Sequence, residues 1–241
     1  MKVKPYEKVS AIFNGLVKKL DYESWSNYIL TIAEVYLHKD ATVLELGAGN
    51  CKIAELISSR YRNYYATDIS LSMLKSSKKK NPKQICCDMT ALPFNTKFDF
   101  IFSNFDGVNY ILKQKSLSRL FNEVFRLLKK EGVFTFDVSL ESNSLHFVVG
   151  KSAEGRNNDY SFRRISHYNK QSRIHSNHFY IRDEFGKEYK EVHKEKIYKI
   201  ETYFKLADNA GLYTEACYDC FTFNDVKENS HRAQFVMRKI N

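Results

Sequence analysis

The stretch Val43-Leu44-Glu45-Leu46-Gly47-Ala48-Gly49-Asn50-Cys51 constrains the fold of this 241-residue chain more than any other. An apolar run climbs into an acid and is followed by two glycines one residue apart. Such a pattern reads as a buried parallel strand, a tight turn and the start of a helix. Glycine accepts positive φ and, lacking a Cβ, lets backbone approach a bound molecule closely. The first turn of the helix then offers unpaired N–H groups. In open α/β sheets this turn lies at the carboxyl edge, where ligands bind. The three-glycine dinucleotide fingerprint is incomplete, because Lys52 stands where the third glycine belongs.

The spacing downstream repeats the theme. Tyr64-Tyr65-Ala66-Thr67-Asp68 reads as a second strand ending in an acid, about twenty residues past the turn, where a ribose-binding acid belongs in a βαβ unit. Asp68 offers two oxygens to a pair of hydroxyls. Its other role would be a helix N-cap, which Ser70 can fill instead. Gln84 to Asp88 is a third short strand closing on an acid, and Phe98 to Asn104 a fourth, with Asp99 at its start. Ser116 to Lys130 has helical spacing through Leu117, Leu120, Phe121, Val124, Leu127 and Leu128. Gly132 ends the connection, and Val133 to Val138 is a fifth strand. Strand and helix alternate from Ala41 to Val138, which predicts a parallel, doubly wound sheet.

Glu45 would repel a pyrophosphate but suits a cationic ligand. Glu45-Leu46-Gly47-Ala48-Gly49-Asn50 resembles the first motif of class I S-adenosylmethionine-dependent methyltransferases. The chain is similar to their small-molecule members (type 11/25-like), which carry a β-strand insertion after strand five. The resemblance implies a Rossmann-like α/β fold, with a doubly wound, mostly parallel seven-stranded sheet and a small antiparallel β lid. It implies S-adenosyl-L-methionine as cofactor, held at the turn by Glu45, Gly47, Ala48 and Gly49. Asp68 would take the ribose, Ile69 and Met73 would flank the adenine, and Asp88 would accept from the adenine N6 amine. The Met89 backbone N–H would meet a ring nitrogen, and Asn104 would stand beside the sulfonium. The loop from Asn104 to Tyr110 would hold the methyl acceptor, with Asn109 a candidate catalytic residue. Asn104-Phe105-Asp106-Gly107 departs from the Asn/Asp-Pro-Pro-Tyr of nucleic-acid base N-methyltransferases and disfavours that subclass.

Residues 1–40 read as helical, with Tyr6, Phe13, Leu16, Leu20, Trp25, Tyr28 and Ile29 spaced along them. They resemble the N-terminal cover of small-molecule methyltransferases, in which Tyr6 and Trp25 would close over the methionine end of the cofactor. Aromatics at helical spacing also suit plain packing. Phe13-Asn14 stands where many relatives carry Tyr-Asp. Between Ser139 and Lys196 the helical period disappears. Tyr160 to Tyr168 and Arg173 to Ile181 alternate, and a further strand runs to His193, so three or four antiparallel strands are expected. The expected organisation is a methyltransferase domain of residues 1–138 and 197–241 with a substrate-capping insertion of residues 139–196. Ile200 to Ala210 then reads as a helix closed by Gly211. Leu212 to Phe223 and Arg232 to Arg238 supply two last strands, which the family runs as an antiparallel edge pair. His193 is the candidate base, able to take a proton near neutral pH, and Tyr198 is placed at the acceptor pocket by the resemblance. His146, His167, His175 and His178 read as strand-surface residues.

The net charge of +10 leaves nucleic acid open as a partner. The lysines are scattered, however, and the tightest run, Lys78-Lys79-Lys80, ends an expected helix, where cations suit the dipole. No run of about eighteen apolar residues exists for a spanning helix, so no membrane role is expected. Met1 to Lys4 lacks the apolar stretch of a signal peptide. The five cysteines form neither a disulfide scaffold nor a metal site, which suggests reduced thiols and a cytoplasmic location. The expected reaction is in-line methyl transfer to an amine or hydroxyl of a small molecule by a monomer or homodimer, with orientation as the main contribution of the protein. An RNA methyltransferase and a non-catalytic S-adenosylmethionine-binding regulator are the alternatives.

Overall fold

The hydrophobic alternation of the first half builds a sheet whose centre is β1 (Thr42–Leu46), hydrogen-bonded on one side to β2 (Asn63–Asp68) and on the other to β4 (Phe98–Ser103). The structure is a computed structural model that describes residues 1–17, 20–38, 40–61, 63–77, 82–148, 152–156 and 159–240. β3 (Lys83–Cys86) adds beyond β2, and β5 (Leu128–Ser139) beyond β4, all in parallel. β11 (Arg232–Lys239) lies antiparallel between β5 and the edge strand β10 (Leu212–Asp219). The order is β10-β11-β5-β4-β1-β2-β3. The connections reverse direction at β1, the switch point where open α/β sheets bind ligands.

Both faces of the sheet are covered, as its near-continuous apolar strands require. On one face α5 (Gln114–Leu127) lays down Leu117, Leu120, Phe121, Val124 and Leu127, and α7 (Ile200–Asn209) adds Tyr203. On the other, Ile29 and Ala33 of α2 (Tyr22–Glu34) and Ile53, Ala54 and Ile57 of α3 (Lys52–Ile57) cover Val43, Phe100 and Phe102. Phe136 and Phe235 stack across β5 and β11 with centroids 4.9 Å apart. Each fully buried phenylalanine contributes on the order of 2–3 kcal/mol. The Rossmann-like α/β fold with a mostly parallel seven-stranded sheet is thus the one the sequence pattern calls for.

A second, antiparallel sheet of β6 (Ser152–Arg156), β7 (Tyr160–Asn169), β8 (Ile174–Asp183) and β9 (Glu188–Lys196) forms the lid. One end of its inner face, Phe162, Phe179, Ile181 and Tyr189, packs on Val9 and Ile12 of α1 (Val9–Leu16). The chain start differs from the helical expectation. Residues 1–3 run beside β9, with Val3 N–H donating to Lys190 O at 3.2 Å and Lys190 N–H to Met1 O at 2.9 Å. A second difference is α6 (Glu141–Val148), a helix where the period had vanished. Among its described side chains only Ser144 is buried, so no apolar period announces it. The Lys78-Lys79-Lys80 run lies outside the described residues.

Two residues expected at the acceptor pocket belong to the framework instead. Asn109 is fully buried. Its Oδ1 accepts from Ser139 N–H at 2.9 Å, and its Nδ2 donates to Ser139 O at 3.3 Å and Lys196 O at 3.0 Å. The amide therefore clamps the end of β5 to the end of β9 and is saturated by backbone, which leaves it no catalytic role. Tyr198 is buried in the core beneath α7, its ring 5.9 Å from that of Tyr203, and it does not line the cavity described below. Removing the clamp strands three backbone groups in a dry site. Asn109→Ala is expected to cost on the order of 2–3 kcal/mol in urea unfolding.

Candidate active site

A cavity of about 640 Å³ opens between the carboxyl edge of the parallel sheet, the N-terminal helices and the lid. Its floor is the glycine turn. Gly47 and Gly49 have φ of +68° and +56°, values that L side chains rarely adopt. A Cβ on Gly47 would stand 3.4 Å from Met89 Cε, and one on Gly49 3.3 Å from Met73 Cε. Ala48 N–H donates to Thr67 O at 2.8 Å, and Gly49 N–H donates to Asp68 Oδ2 at 2.8 Å, so the ends of β1 and β2 are tied together. Asp68 Oδ1 accepts from Ser70 N–H at 2.7 Å. Burial raises the Asp68 carboxyl, while these two N–H groups oppose the rise. Each oxygen keeps a further lone pair for a ligand hydroxyl. Ser70, not Asp68, caps α4 (Leu71–Lys75) by accepting from Met73 N–H. Ile69, Met73, Asp88 and Met89 line the same end of the cavity, with Asp88 Oδ1 held by Thr90 N–H at 2.7 Å.

Glu45 is the departure at this end. It lies buried beneath the turn and accepts from Tyr64 Oη at 2.6 Å, so its carboxyl supports the floor and does not line the cavity. Burial pushes it up to about 8, the Tyr64 hydrogen bond opposing and the charge of Asp68 adding to the rise. The acid that looked like a ligand for a cation is a neutral structural group in the free protein at moderate pH.

Beyond the turn, Asn104 lines the cavity, and neither atom of its buried amide has a partner. Leaving a buried polar group unmade costs on the order of 1–3 kcal/mol. A ligand bearing an ammonium and a carboxylate supplies both missing partners, so the methionine end of S-adenosylmethionine fits this position. Phe105 and Asp106 follow with φ of +58° and +62°, a strained pair of the kind that collects at ligand sites. Side chains hold the strain. The Phe105 ring sits 4.5 Å from that of Trp25 and 5.6 Å from that of Tyr22, and Trp25 itself lines the cavity. Asp106 N–H donates to Asp137 Oδ2 at 3.1 Å, and Arg232 bridges the Asp106 and Asp137 carboxylates. Burial pushes Asp137 up to about 6, against the pull of Arg232.

The wall opposite the cofactor end comes from the lid and the chain start. Tyr6 Oη donates to Tyr110 Oη at 2.7 Å, and Tyr110 Oη stands 3.4 Å from His193 Nδ1. His193 Nε2 is 3.1 Å from Glu191 Oε2. Glu191 is fully buried and also accepts the backbone N–H groups of Tyr6, Lys8 and Val9. With Nε2 donating to that carboxylate, Nδ1 is the acceptor facing Tyr110 and the cavity. The structure thus brings Tyr6 and His193 together, 4.5 Å between ring centroids. Tyr110, from the loop expected to hold the acceptor, joins them, and Glu191 and Glu195, which were not singled out from the sequence, complete the polar group. His175 is a correction: it is buried and lines the cavity, its Nδ1 3.2 Å from Ser144 Oγ, where a strand-surface position was expected.

A glycine turn at the switch point, acids closing the next two strands and a β lid over the carboxyl edge together match the arrangement of class I S-adenosylmethionine-dependent methyltransferases of the small-molecule type. Residues 44–149 match the family described as a methyltransferase domain. A protein of Geobacillus sp. (strain WCH70) named as a methyltransferase is 25% identical over 97% of this chain and 99% of its own. The crystal structure of an S-adenosylmethionine-dependent methyltransferase from Clostridium acetobutylicum ATCC 824 matches with a TM-score of 0.83 at 25% identity, over 98% of this chain and 99% of that one. The sugar N-methyltransferase KedS8 from Streptoalloteichus sp. ATCC 53650 shares the fold at a TM-score of 0.75 and 16% identity, over 93% and 90% of the two chains. Along nearly its whole length the chain is thus similar to S-adenosylmethionine-dependent methyltransferases.

The floor is open to direct tests. Asp68→Ala is expected to remove most of the thermal stabilisation given by S-adenosylhomocysteine while leaving the far-UV spectrum of the free protein unchanged. Glu45 gives a pH signature. Its folded-state value, about 8, lies above its ordinary value of 4.5. The stability this group contributes is therefore fully present below about pH 4.5 and is lost as pH rises toward 8. Urea unfolding across that window should show a smaller loss in Glu45→Gln than in the parent.

Proposed function

We propose that this protein transfers the methyl group of S-adenosyl-L-methionine to an amine or hydroxyl of a small molecule bound beneath the lid. One observation carries the reading: a single cavity joins the glycine turn and its acids to the polar inner face of the lid. Its volume is that of a small-molecule site. When bound, the cofactor supplies an already activated methyl on a sulfonium. Asp68 and Asp88 would hold its hydroxyl and amine groups, the glycine turn would admit it closely, and Asn104 would pair with its charged end. An acceptor whose lone pair took that methyl would leave the sulfur as a neutral thioether, and its proton would have to pass to a base. His193 Nδ1, oriented by Glu191 and joined to Tyr110, is the candidate for that proton. Tyr6 and Trp25 close the cavity and exclude water, which strengthens every polar contact within it.

The fold shared with a sugar N-methyltransferase favours an amine-bearing small molecule among the acceptors. Apart from Arg164, the basic side chains in the middle of the lid argue against RNA as the acceptor. Arg163, Lys190 and Lys194 alternate with cavity-lining residues and so point away from the cavity.

Thermal unfolding with S-adenosylhomocysteine, and with NAD as control, tests the cofactor. A ligand at a hundred times its dissociation constant stabilises by about 2.7 kcal/mol, several degrees for a chain of this size. A shift with the homocysteine compound alone is expected, and its absence would overturn the methyltransferase reading together with that of an S-adenosylmethionine-binding regulator. Once an acceptor is in hand, His193→Asn should lower kcat by about 10²-fold with little change in S-adenosylhomocysteine affinity. An unchanged kcat would demote the histidine to packing.

A further inference from the structure

The inner face of the lid changes character along its strands. Its apolar end packs on α1. Its other end turns Arg164, Ser166, His175, Asn177, His193 and Glu195 toward the cavity. The register lines these up: Ser166 faces Asn177, Asn177 faces His193, and His175 faces Glu195. Ser166 Oγ donates to Asn177 Oδ1 at 2.6 Å.

A basic and an acidic group on this face are left without an ion-pair partner. Arg164 Nε is buried without a hydrogen-bond partner. The acids around the lid base are already engaged: Asp106 and Asp137 by Arg232, Glu141 by Arg173, Glu191 by His193 and three backbone N–H groups. Glu195 receives one long contact, from Asn177 Nδ2 at 3.5 Å. Among the described residues Arg164 and Glu195 form no ion pair, with each other or with any other group. Burial and the repulsion of Asp106 push the Glu195 carboxyl up to about 8, against the pull of Arg232 and, more weakly, of Arg164. An acid near that value exchanges its proton with an amine at little cost. A guanidinium and a carboxyl that share a cavity without touching leave room between them for a molecule bearing the complementary pair.

We propose that the methyl acceptor is a small amine that also carries an acid group, its oxyanion bound by Arg164 and its amine facing Glu195. The inference rests on the methyltransferase reading above and names its substrate class. A guanidinium takes a planar oxyanion through two parallel N–H donors, and the Ser166–Asn177 pair beside it supplies further polar contact. Carboxylate and phosphate share this chemistry. The unpaired Nε destabilises the free protein, and the ligand relieves that cost.

The test uses thermal unfolding of the full chain in S-adenosylhomocysteine. Glycine, β-alanine and γ-aminobutyrate are each compared with their amides, and aminoalkyl phosphates with the matching amino alcohols, at concentrations up to solubility. The expected result is that acid members of one series raise the midpoint by about 2–4 °C over their uncharged counterparts, and that Arg164→Met abolishes the difference. Which series responds identifies carboxylate or phosphate. Without ligand, Arg164→Met should unfold at the parent's midpoint or above it, because it removes an unpaired polar group. A lower midpoint would mark Arg164 as structural and overturn the proposal. So would equal shifts with the uncharged members, no shift with any acid, or a shift that survives in Arg164→Met. If S-adenosylhomocysteine itself leaves the parent unshifted, the methyltransferase reading fails. If it shifts parent and variant alike while the acids shift neither, only the substrate class fails.

Discussion

The hydrogen bond from Gly49 N–H to the Asp68 carboxylate is the contact on which the site depends. Parallel strands end with backbone groups that no neighbouring strand can satisfy, and the chain must close them with turns and polar side chains. Here one carboxylate serves two ends at once, taking Gly49 N–H from the turn after β1 and Ser70 N–H from the approach to α4. The turn takes this course because residues 47 and 49 are glycines that accept its left-handed φ. The cavity floor is therefore fixed before any ligand arrives, and Asp68 is held with one lone pair on each oxygen still free.

The far wall is joined to this floor by longer-range contacts of the same kind. Asn109 fastens β5 to the end of β9, and Arg232 reaches from β11 to the strained loop after β4. Glu191 gathers three N–H groups of the chain start onto β9. These links are buried and multiply bonded. They differ in weight from exposed pairs such as Arg182–Glu188, whose worth in water is about 0–1 kcal/mol. A lid tied down through Asn109 and Glu191 presents its inner face in a set orientation, which methyl transfer needs more than it needs a reactive side chain.

Local chemistry was legible in the sequence and distant contact was not. The turn and the acids at 68 and 88 announce themselves because strand, glycine and acid are neighbours along the chain. Glu45 misled because sequence reports its place beside the turn but not that Tyr64, on the adjacent strand, takes its carboxyl from below. Asn109 and Tyr198 sit where a site residue could sit, and only the fold reveals that the first spends its amide on backbone 30 and 87 residues away. α6 left no trace because it buries a serine. The lid held a readable signal that period-two reasoning passes over. In β7, Arg164 and Ser166 share the face of the buried Phe162, and in β9 Glu195 shares that of the buried Glu191 and His193. Charge recurring on the inward phase of an alternating strand is a mark of a lined cavity.

The unmet polar groups of this protein are distributed unevenly. Among the described residues, most buried side-chain atoms without a partner are hydroxyls, such as those of Ser26, Tyr198 and Tyr203. A hydroxyl is the least costly group to leave so. The exceptions are the Asn104 amide, one oxygen of Asp137 and the Arg164 guanidinium nitrogen. Two of these line the cavity, and the third belongs to a carboxylate that braces its loop. Phe105 and Asp106, with left-handed backbone, lie on the same loop. Stability is thus forgone at both ends of one cavity, at Asn104 near the glycine turn and at Arg164 under the lid. The costlier unmet groups thus gather around the cavity and its loop, and the unmet groups of the core are hydroxyls.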